Sequence, residues 1–283
     1  MGRFGGSLRL MRPVNCFMMG VAVIVGAALA SPGSLGQSWQ PLFYGFVTGF
    51  TLTAASMTIN DYYDRDIDAI NEPKRPIPSG QIRPKEALAL AVVLTVVGSI
   101  AAHLTNVFSL ATAIIAYLVF VTYTTVGKRS GLPGNFLVSA CVAIPFIYGS
   151  IAIVDEISLN VLFFASMAFL SNTGREVTKG IVDLQGDRTR NVKTLAVRFG
   201  ERSAAFGAAS FYVFAVLLSP IPCFLKLVSV WFIPFVLVTD VGLLASSVLL
   251  VKNYSRGSAR KIKNMVLVWF LFGLLAFIAG ALG

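Results

Sequence analysis

The sequence predicts an all-α, polytopic membrane protein: nine transmembrane helices, arranged as two four-helix units plus a ninth helix, with a polar cytoplasmic cap. Three observations carry this. Hydrophobic residues make up 56% of the 283 and charged residues only 13%, against about 25% charged in soluble domains, and the mean hydropathy is +0.77. Apolar runs of spanning length recur at 13–30, 41–59, 84–103, 107–126, 131–154, 159–173, 203–221, 227–251 and 265–282, and about 20 helical residues cross a hydrocarbon core. The basic residues also segregate. If the chain crosses at every run, 22 of the 23 Lys and Arg fall on one side and only Lys226 on the other.

The first run follows Arg9 and Arg12 and ends in Ala28-Leu29-Ala30, the outline of a secretory signal. It is long for one, and eight further runs follow, so it reads as a span. The second run leads directly into an acidic stretch, 60–80. The third ends at His103, the single histidine, which reads as a helix-end residue because one histidine cannot build a histidine metal site. The fourth carries Tyr117 and Tyr123 ahead of Lys128. The sixth is short because its helix is expected to run on through Arg175 toward Asp183 in the polar cap. The eighth holds Asp240, about 18 Å from Lys252 on a helix and so too deep for a site at the charged face. Cys16, Cys141 and Cys223 lie in separate apolar runs and form no disulfide framework.

By the positive-inside rule the basic side is cytoplasmic. The expectation is a multi-pass cell-membrane protein with its N-terminus and active site on the cytoplasmic side. The net charge of +10 belongs to that bias and not to nucleic acid, since no basic stripe is interleaved with aromatics.

A faint repeat runs through the chain. Pro13-Val14-Asn15 opens the first run and Pro133-Gly134-Asn135 the fifth; Asp61 and Asp64 follow the second, and Asp183 and Asp187 the sixth. The expected organisation is a single membrane-embedded domain over 1–283, with a pseudo-repeat of 1–130 and 131–254 and a ninth helix in 261–283. A shift of four spans keeps orientation, so the repeat is parallel and a site lies between its units.

The chemistry concentrates in two stretches. Asn60–Gly80 reads NDYYDRDIDAINEPKRPIPSG. Asp61, Asp64 and Asp68 fall on one face if the preceding helix continues, while Asp66 points away. Clustered carboxylates need a cation among them, and hard oxygen donors completed by waters and phosphate suit Mg2+. The stretch then brings Lys74 and Arg75 and a stiff Pro-rich turn that would close over the site. In the second stretch Asn172, Glu176, Lys179, Asp183 and Asp187 would share a helical face. Facing each other, the two carboxylate groups could hold two or three Mg2+ ions and a diphosphate, with Lys74, Arg75, Lys128, Arg129, Arg175, Lys179 and Arg188 completing the shell. Metal ions make diphosphate a leaving group, and an allylic lipid tail needs an apolar cavity that excludes water.

These residues resemble a known family. Asn60-Asp61-x-x-Asp64-x-x-x-Asp68 and Asp183-x-x-x-Asp187 are similar to the two signatures of the UbiA superfamily of intramembrane prenyltransferases, and the RPIPSG tail and the Arg12-Pro13-x-Asn15 entry fit it too. The resemblance covers essentially the whole chain. It implies Mg2+ held by Asp61, Asp64, Asp68, Asp183 and Asp187 as the catalytic and metal residues. It also implies a prenyl diphosphate donor and a lateral opening to the lipid bilayer. Asn15, Asn60, Lys74, Arg75, Tyr123, Lys128, Glu176 and Lys179 are the expected substrate-binding residues. Tyr123 and Lys128 are separated by four residues, where the family's motif often reads YxxxK. Within the superfamily the pattern is most like archaeal members that transfer a geranylgeranyl group from geranylgeranyl diphosphate to the hydroxyl of geranylgeranylglyceryl phosphate. Relatives on the same scaffold use aromatic quinone precursors, chlorophyllide or heme, and an ion transporter is the reading from another class. The oligomeric state is not legible in the residues.

Overall fold

The computed structural model describes residues 3–189 and 191–282. They form α1 (Arg3–Met11), α2 (Pro13–Ala30), α3 (Trp39–Asn71), α4 (Pro84–Thr105), α5 (Val107–Thr125), α6 (Leu132–Val154), α7 (Leu159–Val182), α8 (Leu184–Thr189), α9 (Leu195–Leu218), α10 (Ile221–Phe224), α11 (Phe232–Lys252) and α12 (Arg256–Leu282), with no strand among the described residues. Each of the nine predicted runs falls mainly on one long helix, and the runs 107–126, 131–154, 203–221 and 227–251 overrun its ends. Among the described residues, eight helices are long and apolar enough to span a bilayer. The exception, α7, spends its second half on Asn172, Arg175, Glu176 and Lys179.

Sequence position explains most boundaries. Pro13, Pro84 and Pro133 stand in the first turns of α2, α4 and α6, where a missing N–H costs nothing. Asn106, Ser158 and Thr194 cap α5, α7 and α9 through their side chains. Gly200 breaks α9 at φ 85°, so the apolar run begins after it. The outer faces are lipid-like: Leu88, Val92, Val96 and Ile100 stand exposed one turn apart on α4. The inner faces are small, as Ala87, Ala91, Ala101 and Ala102 show on the same helix.

The bundle is pinned where α2 crosses α6. A Cβ on Gly26 would lie 2.1 Å from the Phe146 carbonyl oxygen, and one on Gly149 would lie 2.0 Å from that of Val23. Membrane helices lack a hydrophobic drive to associate, so close backbone approach over small residues is how they gain packing. Beside this crossing Phe146, Phe164, Phe232 and Phe277 form an aromatic core that joins α6, α7, α11 and α12.

Three features differ from the sequence-based expectation. α1 was not foreseen as a helix; it buries Leu10 against Ile77, Ile82 and Ala87 and so anchors the Pro-rich turn. α7 ends at Val182, whose carbonyl accepts a hydrogen bond from Arg256 Nε at 3.0 Å. Asp183 therefore caps α7 and Asp187 sits on α8, so the polar face expected to run unbroken through both is interrupted. Asn172, also on that face, is buried and donates to Ser139 Oγ at 3.1 Å, clamping α7 to α6.

Candidate active site

α3 continues past its apolar run as one helix of 33 residues, and that continuation delivers the first acidic cluster to a single face. Each carboxylate there meets a cation. Asp61, 4% exposed, accepts from Arg12 at 2.7 Å and from Arg75 at 3.4 Å. Asp68 accepts from Arg75 at 2.5 Å. Asp64 accepts from Lys128 through both oxygens, at 2.9 and 2.7 Å, and from Asn60 Nδ2 at 3.0 Å. Asp66 stands exposed and meets only its neighbour Arg65, at 3.7 Å.

The cations are placed by the loops that carry them. Arg12 sits in the left-handed region (φ 53°) between α1 and α2, which turns its guanidinium onto α3. Arg75 begins the Pro-rich turn, which is closed by Ser79 N–H to the Arg75 carbonyl at 3.0 Å and by Ile82 N–H to the Pro76 carbonyl at 2.9 Å. Lys128 lies in a 3-10 turn after α5. The next loop is fastened to the stretch before α9 by Lys193 N–H donating to the Arg129 carbonyl at 3.1 Å. Gly131 permits that fastening, since at φ 78° it has no Cβ to strike the Lys193 carbonyl, which would lie 1.9 Å away.

α7 supplies the second group. Glu176 accepts from Arg175 at 3.0 Å and from Lys179 at 3.4 Å. That carboxylate is the main reason the Lys179 pKa is raised, with Tyr123 and Asp183 adding to it. The ammonium therefore stays charged well above neutral pH. The Arg175 Nε is buried without a protein partner, an N–H available to an anion.

Between the two groups opens a cavity of about 450 Å3. Arg12, Asn60, Tyr123, Arg175, Glu176 and Lys179 line its charged end; Val23, Leu52, Ala113, Phe120, Ile144 and Tyr148 line the apolar remainder. Charge at one end and a greasy shaft at the other suit an amphiphile with an anionic head.

Of the predicted residues, Asn60, Tyr123, Glu176 and Lys179 line the cavity; Asp61 and Asp64 join it through the lining residues Arg12 and Asn60, Arg75 through Asp61, Asp68 through Arg75, and Lys128 through Asp64. The structure leaves others to the side. Lys74 is exposed, and what it contributes is its backbone carbonyl, which accepts from Arg9 at 3.2 Å. Asn15 is exposed in the first turn of α2, Asp183 is exposed at the end of α7, and Asp187 is half-buried on α8. Arg12 and Arg175 are cavity residues that sequence reasoning counted only as topogenic or shell charges; the Arg12-Pro13 junction was the available signal. Asp240 accepts from Ser219 Oγ at 2.5 Å and takes no part in the cavity.

The donor set fits Mg2+. The carboxylates of α3 are hard oxygen ligands, yet among the described residues no three of His, Cys, Asp and Glu form a ready cage. That composition suits an ion held by one or two carboxylates and completed by substrate phosphate.

Known proteins resemble this chain over nearly its whole length. Residues 19–274 match the UbiA prenyltransferase family. The digeranylgeranylglyceryl phosphate synthase of Archaeoglobus fulgidus is 38% identical over 276 residues, covering 96% of this chain and 94% of its own. That of Natronomonas pharaonis is 38% identical over 284 residues, covering 99% and 100%. A solved structure of a digeranylgeranylglyceryl phosphate synthase superposes with a TM-score of 0.86 at 29% identity, covering 100% of this chain and 99% of its own. A UbiA homolog from Archaeoglobus fulgidus, solved with GPP and Mg2+ bound, has the same fold at a TM-score of 0.65 and 18% identity, over 96% of this chain and 99% of its own. The chain is a multi-pass membrane protein that belongs to the UbiA prenyltransferase family.

Proposed function

We propose that the protein transfers a geranylgeranyl group from geranylgeranyl diphosphate to the hydroxyl of geranylgeranylglyceryl phosphate, releasing diphosphate, as a step in archaeal ether-lipid synthesis. The observation that carries this is a cavity with an apolar shaft and a cationic end lined by Arg12, Arg175, Glu176 and Lys179, to which the α3 carboxylates are tied through Arg12 and Asn60. The names of the full-length relatives support the acceptor.

In this reading Asp61, Asp64 and Asp68, with Asp183 and Asp187 from the other side, would hold two or three Mg2+ ions. Bound there, the metal would offset the negative charge that builds on the departing diphosphate. Arg12, Arg75, Lys128, Arg175 and Lys179 bind and orient its oxygens. The bond between C1 and oxygen breaks, the pair of electrons leaves with diphosphate, and Leu52, Phe120 and Ile144 keep water from the allylic cation. The acceptor oxygen bonds C1 and sheds its proton, with Glu176 placed to orient the hydroxyl. The acceptor's own phosphate would find the remaining cationic surface. The 22 basic residues of the charged face support a cytoplasmic site.

The two-unit organisation belongs to the same proposal. Val23 and Gly26 of α2, shifted by 123 residues, become Phe146 and Gly149 of α6, and the four meet as two reciprocal close approaches. Asp61 and Asp64 map onto Asp183 and Asp187 at nearly the same shift.

An acceptor panel with one labelled donor tests the reading in purified protein. Mg2+-dependent product with geranylgeranylglyceryl phosphate is expected. Product only with 4-hydroxybenzoate or a naphthoate would sink the acceptor. Diphosphate release unaffected by Asp64→Ala and Asp183→Ala would sink the metal assignment.

A further inference from the structure

We infer that Tyr148 is the floor of the cavity and sets the longest prenyl tail the enzyme accepts. The inference rests on the prenyltransferase reading and adds a specificity residue to it.

The cavity reaches from Asn60 at its charged end to Thr48 and Tyr148 at its deep end. Twelve residues of α3 separate Asn60 from Thr48, about 18 Å of helix, a length on the scale of a geranylgeranyl tail. Tyr148 is 3% exposed. Its hydroxyl lies 3.3 Å from Thr48 Oγ1 and 3.4 Å from Thr105 Oγ1, so α6 is tied at this depth to both α3 and α4. Thr48 is itself committed, donating to the Tyr44 carbonyl at 2.9 Å. A buried ring held by its hydroxyl in this way cannot swing aside cheaply for a longer tail.

What lies behind the ring separates a floor from an ordinary core tyrosine. Thr105 and Ala152 line a second cavity of about 350 Å3, bounded by the polar and exposed groups Gln40, Asn106 and Asp155 at the far end of the bundle. Ala152, Val23 and Ala113 pack around Tyr148 in one small cluster. The ring therefore stands as a partition, with an apolar shaft on one side and a polar chamber on the other. Removing it would lengthen the shaft by the ring's own volume, toward Thr105 and Ala152.

The experiment compares kcat/KM for farnesyl, geranylgeranyl and farnesylgeranyl diphosphates, the last one isoprene unit longer, with products identified by mass. Tyr148→Ala should raise the farnesylgeranyl-to-geranylgeranyl ratio by about tenfold or more, the scale on which apolar pockets discriminate added length. Tyr148→Phe keeps the ring but frees it from Thr48 and Thr105, and should raise that ratio by less than Tyr148→Ala does. Ala116→Phe fills the shaft about one turn above the floor, and should raise the farnesyl-to-geranylgeranyl ratio by a similar factor; it removes no core contact, so it stands if Tyr148→Ala fails to fold. Wild-type protein active on geranylgeranyl diphosphate, with ratios unmoved in the folded variants, overturns the floor assignment alone. Wild-type protein that consumes no prenyl diphosphate overturns the transferase reading as well.

Discussion

Lys128 grips both oxygens of Asp64 from 64 positions further along the chain, at 2.9 and 2.7 Å. Both side chains are about one-quarter exposed, so the pair sits where water screens it only in part. Lys128→Ala removes the cation that holds Asp64. Its kcat/KM is expected to fall about a hundredfold or more, ~2.7 kcal/mol of transition-state stabilisation, read by diphosphate release. Lys128→Arg keeps the charge but changes its shape, and should recover part of the loss.

Arg75 separates Asp61 from Asp68. Arg75→Ala leaves two buried carboxylates without that shared cation. The folded state should lose on the order of 2–3 kcal/mol, below the full range for a buried pair because Arg75 is 33% exposed. Thermal unfolding in detergent should also show Mg2+ raising Tm more in Arg75→Ala than in wild type, since an added cation then relieves the repulsion. Equal shifts in the two proteins would count against a metal at these carboxylates.

The Lys179 pKa is raised chiefly by Glu176. The protonated lysine is the form stabilised, so activity that depends on it persists below that raised pKa and is lost as pH rises through it. Glu176→Gln withdraws the carboxylate and leaves burial to act in the opposite direction. The alkaline limb of the kcat/KM–pH profile should therefore move to lower pH. A limb that stays in place would show that Lys179 does not govern it.

Gly26→Ala and Gly149→Ala each force a methyl group into a carbonyl across the α2–α6 crossing. Each should destabilise the fold by at least about 1–3 kcal/mol, the usual range for overpacking, seen as a lower Tm. Gly186→Ala is the control, because a Cβ there meets nothing within 4 Å.

The spans were legible in the sequence because a bilayer imposes length and apolarity on each helix independently of its neighbours. The α3 face was legible for a related reason: once the helix continues, the spacing of Asp61, Asp64 and Asp68 fixes their side. Local rules could not reach what depended on tertiary contact. Lys74 and Arg75 are adjacent and alike in charge, and only the packing of Ile77 and Ile82 under Leu10 decides which one faces α3. The Val182 carbonyl at the end of α7 is taken up by Arg256, 74 residues away. Arg12 was legible only as part of the Arg12-Pro13-x-Asn15 entry, because its contact with Asp61 comes from a single left-handed residue between two helices. Tyr148 carried no signal at all, since a floor exists only once three helices enclose a shaft.

The pairing of every acid in the α3 cluster with a cation of the chain also bears on how ligands assemble there. Arg12, Arg75 and Lys128 serve as the counter-ions of Asp61, Asp64 and Asp68. On the proposed reading, a divalent ion entering this cluster competes with guanidinium and ammonium groups, and each group it displaces becomes a donor for a phosphate oxygen. Diphosphate, in drawing those groups toward itself, uncovers carboxylate for the metal. Each ligand thus tightens the binding of the other, and by thermodynamic reciprocity the coupling is equal in both directions. Titrated alone, the metal should bind weakly; with a non-hydrolysable diphosphate present it should bind tightly, as the second half of a single composite ligand.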